Sequence, residues 1–464
     1  MNTKLLKTEE EYKLVALKYQ SSEVRGGNMK TNRVDFRIGR LSTFTVSVIV
    51  WASISLCVQS GAVAGNAVGS VALPEAQVLN EPLLPAIKEF KDLIEGDPEL
   101  YMLFNQMFSQ LPTEPPFLQD PSGKTQIRDY SSMLRVMNSI LTKGPEFNKT
   151  EQVGTPLNAM LAWPMCTQAG TTVFMNKKVN AQLKKILSQW SAFLGSADSR
   201  HVLGDDPVNG WFGRDAKAAM PDFMEDFQCD PKQPYYGFTS WDDFFTRKLK
   251  EGRRPVAEPD NDSVIANACE SAPFKLAEKV KLRDQFWIKG QPYSLQHMMD
   301  GDPLTEQFVG GTIYQAFLSA LSYHRWHSPV SGKIVKTKLV DGTYCAVSFA
   351  EGFDDGSEKS QAYMAVLATR ALIFIEADNP DIGLMCVMFV GMAEVSSNEI
   401  TVREGQHVKK GDQLGMFHFG GSTHCLIFRP QVKLKFDLHG QTPSYTGSNP
   451  QNIPVRSRIA TVVK

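Results

Sequence analysis

Apolar residues recur at helical spacing through the first part of this chain and at strand spacing through the second. Ile87, Phe90, Leu93 and Ile94 fall on one side of a helix, and Asp97-Pro98 then reads as an N-cap followed by proline at the first helical position. Leu100, Leu103, Phe104, Met107 and Leu111 form a second stripe, and Val179, Leu183, Ile186, Leu187, Trp190 and Leu194 a third. Such stripes face a core, not a cofactor. Trp241 to Leu249 predicts one more short helix. Beyond Pro255 strands are expected over 263–268, 332–340, 371–376 and 384–390, the last an unbroken apolar run that suits burial on both faces. The acidic, glycine-containing stretch 351–361 predicts an exposed loop, and 402–415 predicts two strands joined by Lys-Gly-Asp turn chemistry. The fold class is therefore α+β, a mainly helical region over 87–229 followed by a β-rich one over 230–464.

The segment ahead of these elements has a different character. Lys30, Arg33, Arg37 and Arg40 precede an apolar run over 44–58, and Ala62-Val63-Ala64 follows it. Basic, apolar and small-residue stretches in that order make a secretory signal pattern. The run is short of the roughly 20 apolar residues of a membrane span, with a single-span anchor as the alternative. Residues 1–64 are thus expected to be an N-terminal extension carrying a signal peptide or membrane anchor, which implies an exported or membrane-associated location. The 28 residues before Met29 do not suit such a signal, so Met29 is the expected start. Residues 65–86, with Pro74, Pro82 and Pro85, read as a linker.

Composition narrows the function classes. The chain is 42% hydrophobic and 21% charged, ordinary for a soluble globular protein, and 49 basic against 50 acidic residues leave a net charge of −1. No field draws nucleic acid, and no basic patch with interleaved aromatics is present to bind it. The seven cysteines form no Cys-x-x-Cys pair, which argues against a zinc ribbon or a disulfide scaffold.

Three clusters could carry chemistry. Gly420-Gly421-Ser422-Thr423 follows an expected strand; two glycines leave a carbonyl unshielded, and the next hydroxyl could attack it in an N-to-O acyl shift. A tight turn is the plain alternative. His324 and His327, within Tyr323-His324-Arg325-Trp326-His327, would share one face of a helix or turn. No glutamate completes a His-Glu-x-x-His motif, so general acid/base work is the functional reading and a structural pair the other. Glu270, in Ala268-Cys269-Glu270-Ser271 at an expected strand end, could orient a histidine or simply be solvated.

In this order the clusters resemble the phosphatidylserine decarboxylases. The resemblance runs through Phe244-Phe245-Thr246-Arg247-Lys248-Leu249 with Arg254-Pro255, Phe286-Trp287-Ile288-Lys289-Gly290, Tyr323 to Gly332, and Phe419-Gly420-Gly421-Ser422-Thr423. The helical region, with Ser199-Arg200 and Tyr235 to Phe238, is similar to a soluble fungal branch of that family that decarboxylates L-tryptophan.

The resemblance implies a sandwich-like catalytic domain in the β-rich region, made as part of a zymogen. Ser422 would attack the Gly421 carbonyl, and autocatalytic cleavage would give a β chain ending at Gly421 and an α chain over 422–464, Ser422 becoming a covalent pyruvoyl group. His327 would be the base for cleavage, His324 would act in decarboxylation, and no metal would be needed. Glu270 stands where the family has an aspartate, one methylene longer. Ala368-Thr369-Arg370 replaces an Asn-Glu pair found in phosphatidylserine enzymes. The headline reaction implied is phosphatidylserine to phosphatidylethanolamine in phospholipid biosynthesis, with membrane association; the alternatives are decarboxylation of a free amino acid such as tryptophan, and an uncleaved, non-catalytic family member. Val402 to Phe417 also resembles a biotinyl or lipoyl carrier hairpin, but no lysine follows it to be modified.

Overall fold

Asp97 accepts the Glu99 backbone N–H at 3.2 Å and so closes one helix start, leaving Pro98, which has no N–H to satisfy, at the first position of the next. The computed structural model describes residues 81–150, 152–284, 293–348, 352–353, 360–392, 394, 397–419, 422–443 and 451–464, all within one compact unit. The signal-like segment, most of the linker, the Phe286–Gly290 block and Gly420-Gly421 lie outside them.

The helical part comprises α1 (Pro85–Gly96), α2 (Pro98–Ser109), α3 (Tyr130–Ile140), α4 (Pro156–Met165), α5 (Gln168–Met175), α6 (Lys177–Leu194), α7 (Arg214–Ala219), α8 (Phe223–Asp226) and α9 (Trp241–Phe245). Ile87, Phe90 and Ile94, then Leu100, Phe104 and Met107, then Val179, Leu183, Ile186, Trp190 and Leu194 are the buried faces of α1, α2 and α6, as the spacing predicts. Helix α9 stops at Phe245, short of the expected Leu249, because Leu249 leaves the helix to bridge Phe227.

Thirteen strands follow among the described residues: β1 (Val264–Ala266), β2 (Ala272–Glu278), β3 (Thr312–Leu318), β4 (Arg325–His327), β5 (Gly332–Val340), β6 (Arg370–Ala377), β7 (Leu384–Gly391), β8 (Ser397–Ile400), β9 (His407–Val408), β10 (Gln413–His418), β11 (Ser422–Phe428), β12 (Leu434–Phe436) and β13 (Arg458–Val462). Seven form one antiparallel sheet in the order β2-β3-β11-β7-β6-β5-β9. Because side chains alternate along a strand, β11 sends Leu426 and Phe428 to one face and Cys425 and Ile427 to the other, and both faces are buried. Two three-stranded sheets, β1-β13-β12 and β4-β10-β8, cover the first face. The second is covered by α10 (Leu295–Met298) and α11 (Gln361–Leu367). The fold is α+β with a sandwich-like β part. The helical core reaches into that part through Ala320, Tyr323, Tyr344 and Phe419.

Two expectations need correction. Ser360 and Gln361, at the end of the expected exposed loop, are fully buried, because Gln361 opens α11 and packs on the sheet. The strands β9 and β10 do flank the Lys-Gly-Asp turn, but they pair with different sheets and form no hairpin.

Candidate active site

Ser422 opens the central strand β11, with Leu318 of β3 on one side and Gly391 of β7 on the other. It is fully buried, and its Oγ has no hydrogen-bond partner among the described residues. The chain arrives there from β10 through Phe419, whose φ of 37° is a left-handed conformation that a bulky residue adopts only under constraint. The constraint is visible. The Phe419 ring sits edge-on to Trp190 at 5.1 Å and to Trp241 at 6.4 Å. One residue earlier, His418 Nδ1 meets Asp242 at 3.0 Å and Nε2 meets Glu399 at 2.9 Å. Burial lowers the His418 pKa, but the two carboxylates prevail and hold it above the usual imidazole value. The approach to Ser422 is thus pinned to α9 and to the helical core.

The two histidines of the Tyr323–His327 block do not share a face. The segment is extended, not helical, so positions three apart point to opposite sides. His324 is fully buried with its ring stacked on Phe245 at 3.9 Å, and its carbonyl accepts the Phe417 N–H at 3.0 Å, which sets it beside the chain leading to Ser422. His327 lies opposite Gln413 at the other end of that pairing. Its Nδ1 is 2.8 Å from the Gly411 carbonyl and its Nε2 is 3.0 Å from the Tyr323 hydroxyl. Arg456 Nε lies 3.2 Å from the same Nδ1 and 3.1 Å from the same carbonyl. Two acceptors cannot face each other at 2.8 Å, so Nδ1 carries its hydrogen and donates to the Gly411 carbonyl, Arg456 donates to that carbonyl as well, and Nε2 accepts from Tyr323. Burial first, and the Arg456 charge second, lower the His327 pKa to about 3, so the ring is neutral. Burial raises the Tyr323 hydroxyl to about 12, so it keeps the proton it donates.

Glu270 is engaged elsewhere. Arg254 donates to it from Nε at 3.1 Å and from Nη2 at 2.7 Å, and the Val455 N–H at 2.9 Å. Arg254 also reaches Asp226 of α8 at 2.8 Å, which ties the helical part to the β part. No hydrogen bond from Glu270 to either histidine occurs among the described residues.

Reading the sequence did not single out His424. It stands two residues beyond Ser422, hence on the same face of β11, fully buried, with neither ring nitrogen partnered among the described residues. Burial lowers its pKa to about 3. The alternation of β11 was the available signal.

A cleft of about 970 Å³ lies at the end of β3, the strand paired with Ser422, although neither Ser422 nor either histidine of the Tyr323–His327 block lines it. Phe317 and Ser319, which flank Leu318, line it together with Glu270, Arg254 and Tyr323 from the β part and Phe147, Val153, Phe223 and Phe227 from the helical part. A second cavity of about 720 Å³ includes Trp190, the residue that holds Phe419. A buried hydroxyl at a strand start, a neutral histidine and an acid-lined apolar cleft are groups that can support acyl transfer followed by proton transfer to a bound substrate. No group of three His, Cys, Asp or Glu side chains among the described residues could hold a metal.

Comparison with known proteins gives this geometry a family. Two phosphatidylserine decarboxylase family profiles match, over residues 84–220 and 241–449. An L-tryptophan decarboxylase of Psilocybe cubensis is 39% identical over 373 residues, spanning 76% of this chain and 82% of that protein. Decarboxylase iboD of Amanita muscaria is 44% identical over 61% of this chain and 86% of its own length. Phosphatidylserine decarboxylase proenzyme 3 of Schizosaccharomyces pombe is 33% identical over 43% of this chain and 20% of its length. The chain belongs to the phosphatidylserine decarboxylase family, is a decarboxylase, and shares the layout of that family's fungal L-tryptophan decarboxylase branch.

Proposed function

We propose that the chain is a self-processing, pyruvoyl-dependent decarboxylase of a free L-amino acid of the aromatic class, such as tryptophan. This reverses the order expected from sequence, which favoured phosphatidylserine. The observation that carries it is extent: likeness to the tryptophan enzyme spans 76% of the chain and likeness to the S. pombe phosphatidylserine proenzyme 43%. The helical part walls the cleft at the end of β3 with Phe147, Val153, Phe223 and Phe227, a lining that suits an aromatic side chain.

Ser422 fits as the source of the prosthetic group, being buried, unpartnered among the described residues and placed at a strand start behind a constrained residue. When formed, the pyruvoyl group supplies an electrophilic carbonyl for the substrate amine and a sink for the electrons left as carbon dioxide departs. His327 is proposed as the base that takes the Ser422 proton during cleavage, through the Nε2 lone pair that Tyr323 occupies at rest. His324 is proposed to return a proton to the substrate α-carbon. Glu270 is proposed to act at one remove, fixing Arg254 and the 455 backbone around Tyr323 and His327.

The test is release of labelled carboxyl carbon from L-tryptophan and from phosphatidylserine vesicles, with Ser422→Ala as the blank. Release from tryptophan supports the proposal. Release from the vesicles alone would restore the phospholipid reading.

A further inference from the structure

Both strands that flank Ser422 are tied to one short segment of the helical part. Just past the end of β3, Ala320 follows Leu318 by two residues, and Gly154 packs on it so closely that an added Cβ would stand 3.3 Å from the Ala320 Cβ, at a φ of +75°. Glu394, three residues beyond Gly391 at the end of β7, is fully buried. Its Oε1 accepts the Leu157 N–H and its Oε2 the Asn158 N–H, each at 2.9 Å.

Those two N–H groups belong to the first turn of α4, where Thr155 provides no side-chain cap and Pro156 has no N–H. The glutamate therefore takes the place of an N-cap from more than 230 residues away in sequence. The segment it steadies is cross-linked internally, because Gln152 Oε1 accepts from Asn158 Nδ2 at 2.7 Å and from the Thr155 hydroxyl at 3.1 Å. Thr150 and Val153 of this segment line the cleft at the end of β3, and Gln152, Gly154, Thr155 and Pro156 line the cavity that reaches Trp190. A carboxylate placed this deep is costly to bury, and no ion pair to a cation offsets it among the described residues.

We propose that Glu394 is a positioning residue of the decarboxylase, holding the 150–158 wall in register with the two strands beside Ser422 so that the cleft fits a free amino acid. The inference rests on the substrate reading above. Protonation should loosen the wall, because a carboxylic acid presents an O–H where two N–H groups need acceptors. Burial raises the Glu394 carboxyl to about 7, against the pull of its own backbone N–H and of the Leu157 and Asn158 N–H groups. Of the titratable side chains packed on it, Cys345 is the one coupled to it among the described residues, and burial keeps that thiol protonated.

The test is steady-state kinetics of the mature enzyme with the amino acid it accepts. Glu394→Gln should raise KM about tenfold with kcat nearly unchanged and with formation of the α chain intact. The wild type should lose kcat/KM as pH falls below about 7, and the variant should lack that limb. Glu394→Asp should recover part of the KM. Should Glu394→Gln fail to fold, Gly154→Ala, which disturbs the other anchor, should raise KM in the same way. An unmoved KM in whichever variant folds, or an unmoved pH profile in Glu394→Gln, overturns this inference alone, as does failure of Glu394→Gln to form the α chain, which would put Glu394 in maturation. A wild type that acts on no free amino acid sinks the substrate reading and this inference together.

Discussion

The ring of Phe419 meets that of Trp190 edge-on at 5.1 Å, so a residue of the helical part holds the residue that stands three before Ser422. Phe419 needs that support to keep its left-handed backbone. Trp190→Ala should slow formation of the α chain and cost about 3–5 kcal/mol of stability. Trp190→Phe, which keeps an edge contact, should slow it far less. Electrophoresis of samples taken after synthesis checks both.

Arg254 bridges Asp226 and Glu270, two carboxylates that are themselves nearly buried. Arg254→Met would leave them without their shared cation, and a loss of about 3–5 kcal/mol is expected. Adding Glu270→Gln to that variant should return part of the loss, because one uncompensated charge is gone. Thermal melting of the two variants checks the sign of the coupling.

His424 gives a pH signature. Burial holds its pKa at about 3 in the folded protein, below the ~6.5 of an unfolded chain. Its contribution is therefore present above pH ~6.5 and is lost as pH falls toward about 3, where only the unfolded chain takes the proton. His424→Leu removes the titration. The dependence of unfolding free energy on pH between ~6 and ~4 should become shallower by up to about 1.4 kcal/mol per pH unit, read from urea melts at several pH values.

Elements with a long, one-sided pattern were legible before the structure. Helix α6 and strands β5 to β7 follow the apolar spacing, and the unbroken run over 384–390 is buried along its whole length. Short elements were not. Strand β4 has three residues, too few to express a period, so the histidines read as a helical pair when they lie on an extended chain. Partners set by tertiary contact left no local trace: nothing in the sequence joins Arg254 to Asp226, or Glu394 to the first turn of α4. Ser422, His324, His327 and Glu270 were candidates by motif, but the motif said nothing of Arg456 beside His327 or of the Gly411 carbonyl that fixes its tautomer. The expected export signal falls on residues outside those described.

The proposed roles assign His327 to maturation and His324 to turnover. His327→Ala should leave the precursor uncut, since the proposed acceptor for the Ser422 proton is gone, whereas His324→Ala should be cut and then release little carbon dioxide. Comparing α-chain yield with labelled carbon dioxide release in the two variants checks the division of roles.

Intact-mass analysis of the purified, active protein is the decisive measurement for self-cleavage at Ser422. Two polypeptides divided between Gly421 and Ser422 are expected, the smaller spanning 422–464 with a pyruvoyl-blocked amino terminus, and a single uncut, inactive chain for Ser422→Ala. Full activity in material whose polypeptide is continuous across Gly421 and Ser422 would contradict it.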